Sequence, residues 1–165
     1  MQVYTDGSCL KNPGRGGWGY VIVGTDTCAS GAEYHTTNNR MEMMAAIQAI
    51  EAANALMAGS ALTHHTHTTQ ALEVYTDSKY LINGITKWVK KWAADGWKKA
   101  NGDAVKNADL WRRLVRLNRP GITWRHVSGH SGDKYNDIAD RLAHSAALKV
   151  QAPVPPAPLA QPVPP

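Results

Sequence analysis

Two short phrases of this 165-residue chain nearly repeat each other. Val3-Tyr4-Thr5-Asp6-Gly7-Ser8 and Val74-Tyr75-Thr76-Asp77-Ser78-Lys79 each carry an apolar-aromatic run into Thr-Asp and then a small residue. One such aspartate is ordinary turn chemistry. Two delivered by the same device are candidates for one site. Glu42 and Asp140 join them. Glu42 is placed in the first turn of a long helical pattern, beside its apolar stripe at Met43. Asp140 stands on the last helical pattern, off the Ile138–Leu142 stripe, and Asp137 and Arg141 have the i,i+4 spacing of a surface ion pair that excludes it. Singly, an acid in a first turn complements the helix dipole and an acid on a terminal helix is solvated. Gathered, they repel: two unit charges ~4 Å apart cost about 4 kcal/mol at an effective dielectric near 20. A fold that gathers them needs cations or shifted pKa values to offset that cost. Oxygen-only ligands suit Mg²⁺ or Mn²⁺ rather than Zn²⁺. Two such ions roughly 3.5–4 Å apart form the usual clamp for in-line displacement at a phosphodiester.

The elements that must position these acids follow from periodicity. Gln2 to Thr5 reads as a strand, the glycine-dense segment 12–19 as a turn, Tyr20 to Val23 and Gly31 to Thr36 as two more strands, close enough to form antiparallel hairpins. Asn38 or Asn39 is expected to cap a long helix whose buried stripe is Met43, Ala46, Ile47, Ile50, Ala53 and Met57. Leu72 to Thr76 alternates as a fourth strand, helical segments run through Trp92 and from about Asn107 to Leu117, and Ile122 to Val127 is a fifth strand. A last helix is expected from about Lys134 to Leu148 with Ile138, Leu142 and Ala146 as its apolar face. The pattern is α/β: a five-stranded mixed sheet flanked by helices. Sites in such sheets form at strand C-terminal ends, where Asp6 and Asp77 are expected, side by side if the first and fourth strands are neighbours.

A length of 165 residues and 43% hydrophobic content describe one globular domain. The net charge of +5 favours a polyanionic partner. Cys9 and Cys28 lack CxxC or zinc-finger spacing, which points to a reduced, cytoplasmic protein. No signal-peptide pattern opens the chain and no apolar run approaches the ~18 residues of a membrane span. Residues 151–165 hold seven of the nine prolines and no charge, so an extended tail is expected from 149 to 165. His64, His65 and His67 sit in a Thr-rich stretch with no acidic partner and are read as a solvated loop rather than a metal site.

Five segments, in this order, carry a resemblance: YTDGSCLKNPG, TTNNRMEMMAAI, YTDSKYLINGI, KNADLWRRL and VSGHSGDKYNDIADRLA. Over roughly residues 1–148 the chain resembles the bacterial type I ribonuclease H family. The resemblance implies the ribonuclease H-like fold and a monomeric endonuclease. It implies cleavage of the RNA strand of RNA–DNA hybrids with two Mg²⁺ ions, Mn²⁺ being a substitute, leaving 5′-phosphate and 3′-hydroxyl ends. Asp6, Glu42, Asp77 and Asp140 match the family's metal-binding carboxylates. His130, in a Gly/Ser loop, matches its catalytic histidine, whose neutral-range pKa suits proton shuttling. Asn12 and backbone groups near Cys9 and Lys11 would face the RNA, and Glu42 would also contact the 2′-hydroxyl that separates RNA from DNA. Thr37, Asn38, Asn39 and Arg40 would meet nucleic acid at a helix N-terminus. Lys79 stands where many relatives carry glutamine. Lys87, Trp88, Lys90, Lys91, Trp92, Lys98 and Lys99 resemble the family's basic protrusion, which grips the DNA backbone without reading bases. Trp88 and Trp92 also have the i,i+4 spacing of packing residues.

The chain departs from the family in a longer connection before the fourth strand and in the Pro-rich tail, and no separate hybrid-binding domain is expected before the catalytic one. Three other readings compete: a superfamily nuclease acting on DNA, a non-catalytic hybrid-binding module, and a carboxylate-pair glycosidase. The binding module has no need of four acids, and the glycosidase needs only two and would ignore chelators.

Overall fold

A computed structural model describes residues 1–61 and 70–156. His64, His65, His67 and the tail beyond residue 156 lie outside them. Strands β1 (Gln2–Cys9), β2 (Gly14–Ile22) and β3 (Cys28–Thr36) form an antiparallel meander. After helix α1 (Asn38–Ala61), strand β4 (Leu72–Thr76) lies parallel to β1, and β5 (Ile122–His126) lies parallel to β4. The sheet order is β3-β2-β1-β4-β5.

The first hairpin is longer than sequence alone suggests. β1 runs through Asp6 to Cys9 because β2 partners it throughout, from Val3↔Ile22 to Cys9↔Gly16. Gly14 to Gly19, expected as turn, are strand. Their low strand propensity is overridden by packing, since missing side chains are what the neighbouring helix requires. That helix is α5 (Lys134–Lys149). A Cβ on Gly17 would strike the Ala143 carbonyl, and one on Gly19 would strike that of Ala139. The buried stripe of α5 is therefore Ala139, Ala143 and Ala147, all fully buried. The expected face of Ile138, Leu142 and Ala146 is only partly covered. Small residues on both surfaces let helix and sheet approach closely, and the larger side chains flank the contact.

On the opposite face, α1 buries the whole expected stripe and also Met41, Ala45 and Ala49, because it packs against both the sheet and helix α4 (Ala108–Leu117). Its cap is Thr37 rather than Asn38 or Asn39. The Thr37 Oγ1 accepts from Arg40 N at 3.3 Å, and its carbonyl accepts from Met41 N at 3.1 Å. Between β4 and α4 the chain forms α2 (Lys79–Asn83), a π-helical turn (Gly84–Trp88) and α3 (Val89–Ala94). The turn sits where Gly84 lies flat against the Trp111 ring, leaving no room for a side chain. Trp92 is partly buried, its ring 5.6 Å from Trp88 and 5.7 Å from Trp111, so it packs this segment onto α4.

Gly17→Ala is expected to lose about 1–3 kcal/mol of stability, the usual cost of overpacking a tight contact. Urea unfolding measures it; a midpoint equal to that of the unmodified chain would show that α5 does not depend on the bare strand.

Candidate active site

The repeated phrase is in register with itself. Across the parallel ladder Val3 faces Val74 and Tyr4 faces Tyr75, so Asp6 and Asp77 each lie two residues beyond the last pair. Side chains alternate along a strand, which puts each aspartate on the same face as its tyrosine. The two tyrosine rings stack at 4.5 Å and 6°, one layer below the carboxylates. Asp6 is not at a strand terminus as expected; β1 continues beyond it, and only the β1–β4 ladder ends there. The opening is thus a seam between two strands, with Asp6 walled in by β2.

Glu42 reaches this seam from α1. It is the fifth residue of the helix, in the second turn rather than the first, and only 4% exposed. Gly7 explains its approach: a Cβ there would press on the backbone of Met41 and Glu42, so α1 rests directly on β1. One carboxylate oxygen from each of Asp6, Glu42 and Asp77 lies within 4.8 Å of the others. Asp140, from α5, is close enough for its charge to act on Asp6, and it lines the same cleft of about 450 Å³ with Asn38, Asn39, Lys79 and His130. All four acids that the sequence nominates meet here.

Burial, then the charges of Asp77 and Asp140, push Asp6 up to about 8. Burial and the charges of Asp6 and Asp77 hold Glu42 well above the usual carboxylate range. Asp77 is raised by burial, while His126 and then His130 pull the other way. Among the described residues no Lys or Arg forms an ion pair with any of the four. The buried Glu42 Oε2 has no hydrogen-bond partner there. An orphaned acceptor in an all-oxygen cluster with no ion-paired Lys or Arg fits a hard divalent ion.

His130 is exposed, in a left-handed conformation (φ 54°). Gly129 beside it has a steric role, since a Cβ there would collide with the Asp77 carboxylate. The loop ends at Asp133, whose Oδ1 accepts from Tyr135 N and Asn136 N and whose Oδ2 accepts from the Tyr4 hydroxyl at 3.4 Å. Burial and the Asp133 charge push the Tyr4 phenol up to about 12, so it stays a donor. The start of α5 is thereby tied to the tyrosine layer beneath the acids.

The remaining nominated residues divide. Asn12 Oδ1 accepts from Asn38 N at 3.3 Å, joining the β1–β2 turn to the start of α1. The Cys9 thiol donates to the Lys11 carbonyl, 2.8 Å away. Arg40 does not face the cleft freely: its guanidinium bonds both oxygens of Asp109, at 3.0 and 2.8 Å, and Asn107 Oδ1 at 3.4 Å. Lys87, Lys90, Lys91, Lys98 and Lys99 are exposed, with Lys91 paired to Asp95 at 3.4 Å. Trp88 is 37% exposed. Sequence reading missed His126 and Asn107. His126 pairs with Thr76 at the end of β5 and favours the charged form of Asp77; only the β4–β5 pairing brings it near. Asn107 is left-handed (φ 60°) and also donates to the Tyr80 hydroxyl, a role that a residue before a helix does not reveal in sequence.

The model of the RNase H family matches residues 1–148. The chain belongs to the ribonuclease H family. Ribonuclease H of Ruthia magnifica is 46% identical over 151 residues, covering 90% of this chain and 95% of the relative. That of Francisella philomiragia is 47% identical over 150 residues, covering 89% and 90%. LC9-RNase H1, a type 1 RNase H with the type 2 active-site motif, superposes with a TM-score of 0.66 at 34% identity, over 88% of this chain and 71% of that one. LC11-RNase H1, solved in complex with an RNA/DNA hybrid, shares the fold at 24% identity with a TM-score of 0.59, over 90% and 96%. This member of the ribonuclease H family is accordingly an enzyme, built around a carboxylate cluster.

The raised Asp6 gives a pH dependence of known sign. Between its unfolded value near 3.8 and its folded value of about 8, the folded chain holds the proton more tightly. Its stabilising contribution is complete below the lower value and is lost as pH rises through the upper one. In EDTA, Asp6→Asn should therefore raise the melting temperature relative to the parent at pH 8 and do so much less at pH 4. Equal effects at both pH values would contradict the assignment.

Proposed function

We propose that the chain hydrolyses the RNA strand of RNA–DNA hybrids endonucleolytically, leaving 5′-phosphate and 3′-hydroxyl ends. The observation that carries this reading is the approach of Asp6, Glu42 and Asp77 to within 4.8 Å, with no Lys or Arg ion-paired to them among the described residues. The cluster suits two Mg²⁺ ions, with Mn²⁺ as substitute, whose chemistry is to activate water and stabilise the leaving oxygen. Asp6, Glu42 and Asp77 would hold them from within and Asp140 from the rim. Their deprotonated forms are needed, so cation binding must displace the protons that burial retains. His130, on an exposed loop beside Asp77, would move a proton at the reacting phosphate or help product leave.

Positioning would fall to the turn and helix that Asn12 joins. Cys9, Lys11 and Asn12 would meet the RNA strand, and Glu42 its 2′-hydroxyl. Thr37, Asn38, Asn39 and Lys79 would contact backbone near the cut. Arg40, held by Asp109, would act mainly by fixing α1 against α4. The exposed lysines of the α2–α3 protrusion, with Trp88, would grip the DNA strand by its phosphates. The catalytic unit would be residues 1–148, followed by the Pro-rich tail, working as a monomer in the cytoplasm. None of the described helices is long and apolar enough to cross a membrane.

Asp77→Asn should bind hybrid near normally yet lose several orders of magnitude in single-turnover cleavage with Mg²⁺; near-normal cleavage would remove the reading. His130→Ala should be slower by about 10²–10⁴-fold but not inactive, the usual share of a proton shuttle. Replacing Lys87, Lys90, Lys91, Lys98 and Lys99 by Ala should raise KM with kcat largely kept and flatten the salt dependence of hybrid binding, by up to about one unit of slope per contacting lysine. An unchanged slope would take the protrusion off the binding surface.

A further inference from the structure

A second polar groove, of about 420 Å³, lies on the β1–β2 turn and the β3 edge, apart from both the carboxylate cleft and the lysine protrusion. Lys11, Arg15, Tyr34 and His35 line it, and no acidic residue does. Among the described residues the Lys11 and Arg15 side chains have no hydrogen-bond or ion-pair partner. Glu33, which precedes Tyr34 in the chain, does not line the groove, and its charge acts on Arg40. The turn is tightly closed. Leu10 N donates to the Arg15 carbonyl at 2.9 Å, and a Cβ on Gly14 would collide with the Lys11 carbonyl. Two cations are thus held at the lip of a groove whose scaffold does not need them, with the Tyr34 ring 46% exposed beside them.

We infer that this groove is an auxiliary subsite for the phosphate backbone of the bound nucleic acid beyond the point of cleavage. The inference rests on the proposed hybrid substrate and adds a contact outside the residues assigned above: the Arg15 side chain, acting with that of Lys11. Three observations support a nucleic-acid occupant. The groove carries unbalanced positive charge, and phosphate neutralisation is where such charge yields affinity. It is linked to the catalytic rim, because the turn that forms it also carries Asn12, bonded to Asn38 at the cleft. It is also within reach: Lys11 follows Asp6 by five residues, which even fully extended would span at most about 16 Å. That is up to roughly five steps of a duplex at about 3.4 Å per step. The protrusion follows β4 in the chain, whereas this groove belongs to the β2–β3 side of the sheet. A duplex seated in the cleft would therefore be held on both sides of the cut.

The test uses the full chain in EDTA, with binding read by fluorescence anisotropy at 50 and 200 mM salt. A blunt hybrid just long enough to cover the cleft is compared with the same hybrid extended at either end, by RNA alone in one arm and by DNA alone in another. The unmodified chain should bind one of the extended hybrids more tightly than the blunt one, and the arm that gains identifies the strand. Arg15→Ala should abolish most of that gain while leaving blunt-hybrid affinity unchanged. Its deficit on the extended hybrid should shrink about 3.5-fold between the two salt concentrations, as expected for one lost phosphate contact. Arg15→Lys should restore most of the gain, which loss of fold would not allow. Arg15→Ala binding the extended hybrids as well as the parent does would overturn the inference while leaving the proposed activity intact. Failure of the unmodified chain to bind any hybrid would overturn both.

Discussion

The structure depends on a pairing that is electrostatically unfavourable. The parallel register of β1 and β4 sets Tyr4 against Tyr75, and so sends Asp6 and Asp77 out of the same seam on the same face. Asp6 is 6% exposed and Glu42, delivered from α1, 4%. In a low-dielectric seam these groups repel more strongly than in water, and without cations protonation is their only relief. The raised Asp6 and Glu42 follow directly. What makes the free protein strained is what makes it a receptor for divalent ions.

The strain persists because the surrounding packing leaves little room to relax. Gly7 brings α1 onto β1, Gly17 and Gly19 bring α5 onto β2, and Gly129 lets the His130 loop pass Asp77. Each close approach delivers one residue to the cleft: Glu42, Asp140 and His130 in turn. Beneath them the stacked tyrosines and the Tyr4–Asp133 hydrogen bond join strand, loop and helix in one layer. Arg40 and Asn107 do the same for the α1–α4 side, which supports the protrusion. Positioning here comes from bare backbone and short contacts rather than from bulky side chains.

How much of this was legible in the sequence depended on whether a feature was local. The repeated phrase nominated Asp6 and Asp77, and periodicity nominated the five strands, the α1 stripe and the mixed sheet. The family motifs supplied Glu42, His130 and Asp140 as a set. Tertiary contact decided the rest. The glycine run of β2 reads as a turn because its strand character comes from β1, β3 and α5 and not from its own propensity. For the same reason the alanine stripe of α5 lost to the larger Ile138 and Leu142 on hydrophobicity, although it is the buried one. Thr37 was passed over as the cap in favour of the adjacent asparagines, a boundary shift of one residue. His126 carries no local signal, and Asn107, although it stands in the motif KNADLWRRL, shows its role only through partners distant in sequence.

Without cations, Asp6 and its neighbours hold protons in their place. Calorimetric titration of Mg²⁺ into the substrate-free protein near pH 7, repeated in buffers of different ionisation enthalpy, counts the protons released on binding. The unmodified chain should show net proton release, and Asp6→Asn both weaker binding and clearly reduced release. Binding without proton release, or an Asp6→Asn variant that binds and releases as the parent does, would contradict it.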